Sequence, residues 1–390
     1  MTAELQGALR RQAERYLPRM VEHRRHLHSR PEVGLALPET HAYLASALGS
    51  LGYTPEVHPS GGLTVRLCGA AMSGQVRVLR ADMDALPLQE RTGLPYASQL
   101  AGAMHACGHD LHMAMLLGAA DIFRMYPPRH DVVLAFQPGE ESDRGALKVL
   151  NHQNLQLGDE ATAFAIHVNA IMDSHTVAYR RGTFMARGDW FKVAYTGTGG
   201  HASAPHLTGN PIEAAADFVR ALSDVVEELR VHEHLVATVT EVLAGNTVNV
   251  IPTVGTIRGT LRTSSLEQRT LLHERLRDAA TQAGVARHVD HQLEIVAGYP
   301  AVVSDDQFVD ALIGALELAG LGAQLAPMEH PSMVIEDFSY FLEKWPGAMV
   351  YLGAKVGAQP SFNHSDDVLF DENVMTTGLV LHGLVANLDL

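Results

Sequence analysis

Short apolar runs alternate along the chain with longer stretches of helical periodicity, and several of the apolar runs end in chemically active residues. Residues 1–50 read mainly as helix, interrupted by a Pro-Glu-Val-Gly turn at 31–34. VRVLRADMD (76–84) predicts a strand in front of Asp82 and Asp84, and DVVLAFQPGEE (131–141) one in front of Glu140 and Glu141. TAFAIHVN (162–169) predicts a strand in front of His167. Continuous apolar runs separated by helical stretches predict an α/β fold: a mixed, largely parallel sheet with helices on both faces. Such sheets carry their chemistry beyond the carboxyl ends of the strands, where these carboxylates and His167 fall.

The rhythm changes over residues 188–297. WFKVAYTG (190–197), HLVATVTEVLAG (234–245), VGTIRGTLRT (254–263) and HVDHQLEIV (288–296) predict strands. PIEAAADFVRALSDVVEELR (211–230) predicts a helix with Pro near its start and Phe218, Leu222, Val225 and Leu229 on one face. SSLEQRTLLHERLRDAATQAG (264–284) predicts another, with a capping box at Ser265/Gln268 and a glycine stop. The order β-α-β-β-α-β is that of a ferredoxin-like α+β domain. It is expected at 188–297 as an insertion into a first domain made of 1–187 and 298–390. The tail from 305 is expected to add two helices and the strand AMVYLGA (348–354).

A length of 390 residues agrees with two domains. Apolar residues make up 46% and charged residues 19%, a globular composition. The net charge of −15 argues against nucleic acid or an anionic membrane as partner. Two cysteines, Cys68 and Cys107, argue against a disulfide-stapled fold and for a reducing compartment. MTAELQGALRRQAERYLPRM (1–20) lacks the apolar core of a signal peptide and reads as a charged surface helix. No apolar run approaches the ~20 residues of a membrane span. The expectation is a soluble, cytoplasmic protein.

Candidate chemistry gathers in four places. His-x-Cys-x-His-Asp at 105–110 is a dense set of zinc-type ligands, although each residue by itself suits packing equally well. Gln-Pro-Gly-Glu-Glu at 137–141 sets two carboxylates just past a buried strand, where one can ligate metal and its neighbour can act as a base. His167 follows a third apolar run, and His364 lies in the loop Phe-Asn-His-Ser-Asp-Asp at 362–367.

Ten segments in register extend the pattern over almost the whole chain. They are RRHLHSRPEVG (24–34), RADMDALP (80–87), MHACGHDLHMAMLLGAA (104–120), FQPGEES (136–142), AIHV (165–168), GTGGHASAPH (197–206), NVIP (249–252), GTLRT (259–263), EDFSYF (336–341) and NHSDDVLFDE (363–372). Together they resemble the M20 family of metal-dependent amidohydrolases and peptidases, on the branch of amino-acid-conjugate hydrolases, hippurate hydrolases and N-acyl-amino-acid deacylases. The resemblance implies a zinc-peptidase-like catalytic domain with an inserted lid. It also implies two divalent metals about 3.5–4 Å apart, zinc or manganese first, with cobalt or nickel as alternatives. Cys107 would bridge them, His109 and His167 would complete one site, and Glu141 and His364 the other. Glu140 would be the general base acting on a metal-bridging water. His201 would donate to the scissile carbonyl oxygen with Asn249 beside it, and Arg262 would grip the substrate carboxylate. His105, Asp110, His112, Asp82 and Asp84 would support the ligands or the turn around them.

The implied reaction is hydrolysis of the amide of an N-acetyl or N-aroyl amino acid. A dipeptidase or carboxypeptidase on the same centre is the alternative. A non-catalytic binding protein is disfavoured because five candidate ligands and the base are all present, and purely structural sites are closed by four ligands. An exposed lid edge strand would favour a homodimer or tetramer. The chain departs from the family pattern at Asp366 and Asp367, where a proline and a basic residue commonly stand, and at Met-Val-Ile before Glu336. Val168-Asn169 is expected to affect the pocket lining. Glu336 and Asp337 are expected to cap a helix start.

Overall fold

In the computed structural model, which describes residues 3–59, 61–141, 143–230 and 234–389, the strands Val76–Asp82 and Gly347–Gly353 are buried at every position. Strands of this kind need cover on both faces, which is why their sequences are apolar runs and not alternating patterns. Met1 and Thr2 of the MTAELQGALRRQAERYLPRM segment and Ser142 of the FQPGEES run lie outside the described residues.

The chain divides into two compact units, residues 1–182, 303–329 and 337–390 forming the first. Its eight-stranded sheet has the order Glu56–Val57, Leu63–Leu67, Asp131–Gln137, Val76–Asp82, Ala161–Asn169, Gly347–Gly353, Val177–Tyr179, Leu325–Pro327. The four central strands run parallel, and so does the outermost pair at the Leu325 side. The remaining pairs are antiparallel. Register brings the chemistry to one edge, because Asp82 pairs with Gln137, Arg80 with Ala165 and His167 with Tyr351. His167 is inside its strand, not after it as expected. Val168 and Asn169 continue the ladder opposite Leu352 and Gly353.

The helix His109–Met125 is buried from His109 through Phe123. The leading helix Ala3–His28 buries Leu9, Ala13, Met20 and Leu27. It is therefore not simply a surface helix, and its last turns carry Arg24 and His28 into the interior, each 1% exposed. Arg24 Nε donates to Asp110 Oδ2 at 2.9 Å, and Arg24 Nη1 donates to Glu372 at 3.0 Å and to Tyr96 at 2.9 Å. After residue 305 three helices follow, Asp306–Leu318, Ser339–Lys344 and Met375–Val385, where the sequence predicts two.

The second unit comprises residues 183–302 and 330–336. Its antiparallel sheet has the order Leu235–Ala244, Val254–Thr263, Arg187–Thr196, Asp290–Ala297. Helices Pro211–Arg230 and Leu266–Ala286 complete a β-α-β-β-α-β sequence. Phe191, Tyr195, Phe218, Leu222, Leu272 and Leu276 are among its core residues. The unit is wider than the expected 188–297 because Ala186 N donates to Ser332 O at 2.8 Å and Ser332 N to Phe184 O at 2.9 Å, long-range backbone bonds that no local pattern announces. Ser265 accepts from Gln268 N as a cap should. Gly284, however, does not stop the helix. The left-handed residue past its end is His288, at φ 53°. Among the described residues no helix is long and apolar enough to cross a membrane.

His28 presents both ring nitrogens to carboxylates, Nδ1 to Asp110 at 2.9 Å and Nε2 to Glu90 at 3.2 Å. Burial disfavours its charge, but Asp110 and Glu90 prevail and raise its pKa to about 9. A raised pKa stabilises the fold below the unfolded value of about 6.5 and loses that contribution as pH climbs through 9. Denaturant melts from pH 6.5 to 9.5 should therefore show a decline in wild-type stability, by at most about 1.4 kcal/mol per pH unit from this group. His28→Gln should flatten that part of the slope. An identical slope in the variant would remove His28 as its source.

Candidate metal centre

Cys107 and His109 flank Gly108, the residue from which the buried helix starts. Gly108 has φ 90°, and a Cβ there would meet Val168 Cγ2 at 2.3 Å. The turn therefore requires glycine for conformation and for space. Cys107 is 6% exposed, and its Sγ lies 3.4 Å from His167 Nε2 and 3.2 Å from His364 Nε2. His109 Nδ1 donates to the Asp84 carbonyl at 2.8 Å, and His167 Nδ1 to the Val168 carbonyl at 2.8 Å. A carbonyl can only accept, so in the neutral ring each Nε2 keeps its lone pair. His109 Nε2 is buried with no hydrogen-bond partner among the described residues, and such a nitrogen suits a cation.

The loop after the strand Asp131–Gln137 carries Glu140 and Glu141. Gly139 bends it at φ 68°. The Asp84 carboxylate accepts from Glu140 N at 3.0 Å and Glu141 N at 3.1 Å. Asp84 thus orients His109 through its backbone and the two glutamates through its side chain. Asp337 holds the far end of the loop, accepting from Gln137 Nε2 at 2.7 Å, Ala146 N at 2.9 Å and Arg80 Nη2 at 3.0 Å. This corrects the expectation that Glu336 and Asp337 are helix caps. Both are buried, and the helix Ser339–Lys344 has no side-chain cap.

Ligand atoms of Cys107, His109 and His167 lie within 4.8 Å of one another, as do those of Cys107, Glu141 and His364. His109, Glu140 and Glu141 form a further group of this kind. Two three-donor groups therefore share one sulfur. The donor set of thiol, imidazole and carboxylate fits borderline-soft divalent cations.

Supporting residues surround this set. His112 Nε2 accepts from Val168 N at 2.9 Å, so its Nδ1 donates to Asp82 Oδ1 at 2.6 Å. Burial opposes the charge on Asp82, yet Arg80, His109 and His112 hold its pKa well below the ordinary value. Burial likewise opposes charge on His109, and Asp82, Asp84 and Glu141 outweigh it to raise its pKa to about 9. Burial and then His112 lower His167 to about 3, while burial raises Asp84 to about 6. His105 is buried and lowered to about 3 by burial, and neither ring nitrogen has a partner among the described residues. Asp366, where a proline is commonly found, pairs with Arg91 at 2.5 Å. Sequence reasoning gave no roles to Arg80, Gln137 or Asn363. Asn363 had a signal all the same, as the neighbour of His364 in the 363–372 match.

The second unit holds the other three predicted residues. His201 is exposed in a short strand paired with Val250–Ile251. Its Nδ1 accepts from Ser203 N at 3.1 Å, which leaves the proton of the neutral ring on Nε2, available as a donor. Asn249 adjoins it through Ala202 N to Asn249 O at 3.1 Å. Arg262 lies on another strand, opposite Val236 and Gly188. Among the described residues no carboxylate pairs with it, and Nη1 donates to Leu261 O at 3.4 Å. Burial lowers its pKa.

Comparison with known proteins gives the family. The chain is 35% identical to N-acetyl-L-cysteine deacetylase of Bacillus subtilis, over 85% of this chain and 79% of that protein. It is also 35% identical to the putative glutamate--cysteine ligase 2-3 of Rhodococcus jostii, over 93% of this chain, but spans only 45% of that protein. A solved Bacillus subtilis structure, a dinuclear metal-binding peptidase of the M20 family, superposes with TM-score 0.82 at 29% identity, covering 96% of this chain and 98% of that one. Residues 78–387 match the profile of Peptidase family M20/M25/M40, and the chain belongs to that family of hydrolases.

Proposed function

We propose that the protein hydrolyses the amide bond of an N-acyl amino acid, acetyl or aroyl, to a carboxylic acid and a free amino acid. The observation that carries the reading is the Cys107 sulfur common to two three-donor groups, with Glu140 grouped beside His109 and Glu141. The likeness to N-acetyl-L-cysteine deacetylase supports the substrate class.

Cys107, His109 and His167 would hold one divalent ion, and Cys107, Glu141 and His364 the other, zinc or manganese being the first choices. Bound there, the ions would supply Lewis acidity and acidify water. Glu140 takes a proton from the attacking water and returns it to the leaving amine nitrogen. Asp84, through the two glutamate amides, holds Glu140 in place for both transfers. His201 offers its Nε2 proton to the carbonyl oxygen as charge develops, with Asn249 steadying its turn. Arg262 forks the substrate carboxylate.

Stripping with a chelator and adding back zinc or manganese should restore release of amino acid from N-acetyl or N-benzoyl amino acids. Cleavage of unblocked dipeptides alone would make the protein a peptidase instead. Glu140→Gln should keep its metal content and lose roughly 10²–10⁴-fold in kcat; wild-type turnover would refute the assigned base. Arg262→Ala should raise KM for the acids roughly 10–100-fold, equivalent to about 1.5–3 kcal/mol, and leave the matching C-terminal amides unaffected. An equal effect on both would exclude carboxylate recognition.

Self-association through the second unit belongs to the same reading. Its edge strand Leu235–Ala244 exposes Val242 and Leu243, at 50% and 56%. Sedimentation should show a dimer or larger, reduced in size by Val242→Lys. A monomeric wild type would dismiss it.

A further inference from the structure

We propose that Asn363 is a positioning residue for the metal centre, and in particular for the site formed by Cys107, Glu141 and His364. The inference rests on the two-metal reading above. Its origin is a difference among the ligands. Cys107, His109 and His167 are buried at 6%, 0% and 7% exposure, so packing fixes them. The His364 side chain is 53% exposed, and its backbone is left-handed, at φ 71°. A non-glycine residue in that conformation persists only where its surroundings impose it. Packing cannot do so for an exposed side chain. Hydrogen bonds must.

Asn363 supplies them. Its Nδ2 donates to the Cys107 carbonyl at 3.1 Å and to the Val168 carbonyl at 3.0 Å. Its Oδ1 accepts from Ala170 N at 3.0 Å. Beside it, His364 N donates to the Ala106 carbonyl at 2.9 Å. One amide thus ties the loop of His364 to the turn of Cys107 and to the end of the His167 strand. The Val168 carbonyl is the same atom that accepts from His167 Nδ1 and fixes that ring. Both amide hydrogens and the oxygen are engaged, so the side chain has one orientation. Groups that orient ligands commonly matter about as much as the ligands, at roughly 10–100-fold in affinity or activity.

Two variants separate positioning from bulk. Asn363→Ala removes all three bonds. Asn363→Asp keeps the shape and the acceptor for Ala170 N but sets a carboxylate against two carbonyl oxygens. Metal-free protein would be titrated with cobalt(II), following the thiolate-to-cobalt charge-transfer absorption, and its melting temperature measured. The wild type should take up two ions. Both variants should bind one of the two ions roughly 10–100-fold less tightly and the other nearly normally, with a metal-free melting temperature lowered only as far as the loss of three hydrogen bonds requires. Wild-type titration by both variants overturns the proposal. So does an equal weakening of both ions, because that marks a general structural role. A wild type that binds no cobalt overturns the two-metal reading, and this inference with it, before any variant is compared.

Discussion

The Cys107 sulfur lies within 3.4 Å of imidazole nitrogens from two distant segments, a strand residue, His167, and a loop residue, His364. Those approaches require the turn before the buried helix to press against the end of the strand Ala161–Asn169. Gly108 permits it by leaving the space that any Cβ would take from Val168. The register of the parallel strands, the start of the helix and the seating of the His364 loop all meet at this contact.

Around the sulfur, buried aspartates divide the work. Asp84 holds the glutamate amides, Asp337 the base of their loop, Asp82 the His112 ring, and Asp110 the leading helix. Charges in a dry interior are expensive unless each is paired and hydrogen-bonded. Arg80 meets that demand for Asp82 and Asp337 together, and Arg24 with His28 meets it for Asp110. The arrangement is costly as a source of stability. What it secures is position, since each carboxylate fixes a backbone or a ring.

Much of this was legible from the sequence. Continuous apolar runs identified the parallel strands, and the polar residues at their ends identified the edge where chemistry collects. The β-α-β-β-α-β order was readable from period and capping, Ser265 included. What stayed hidden was set by partners far along the chain. The strand continues past His167 because Leu352 and Gly353 lie opposite its end. Asp337 looked like a cap because Gln137 and Ala146 are distant in sequence. Residues 330–336 join the second unit through hydrogen bonds to Phe184 and Ala186. The helix runs past Gly284 because His288, not a glycine, takes up the left-handed conformation beyond its end.

The joining of Cys107 to His364 spans 257 residues, and that of Arg24 to Glu372 spans 348. Contacts of such separation form late, since loop closure must be met before they contribute. A chain leaving the ribosome at about 5–20 residues per second has Cys107, His109 and His167 available well before His364 emerges. The cluster therefore has an order written into the chain: Cys107, His109 and His167 can meet first, and the exposed His364 joins them only after a long further stretch has emerged.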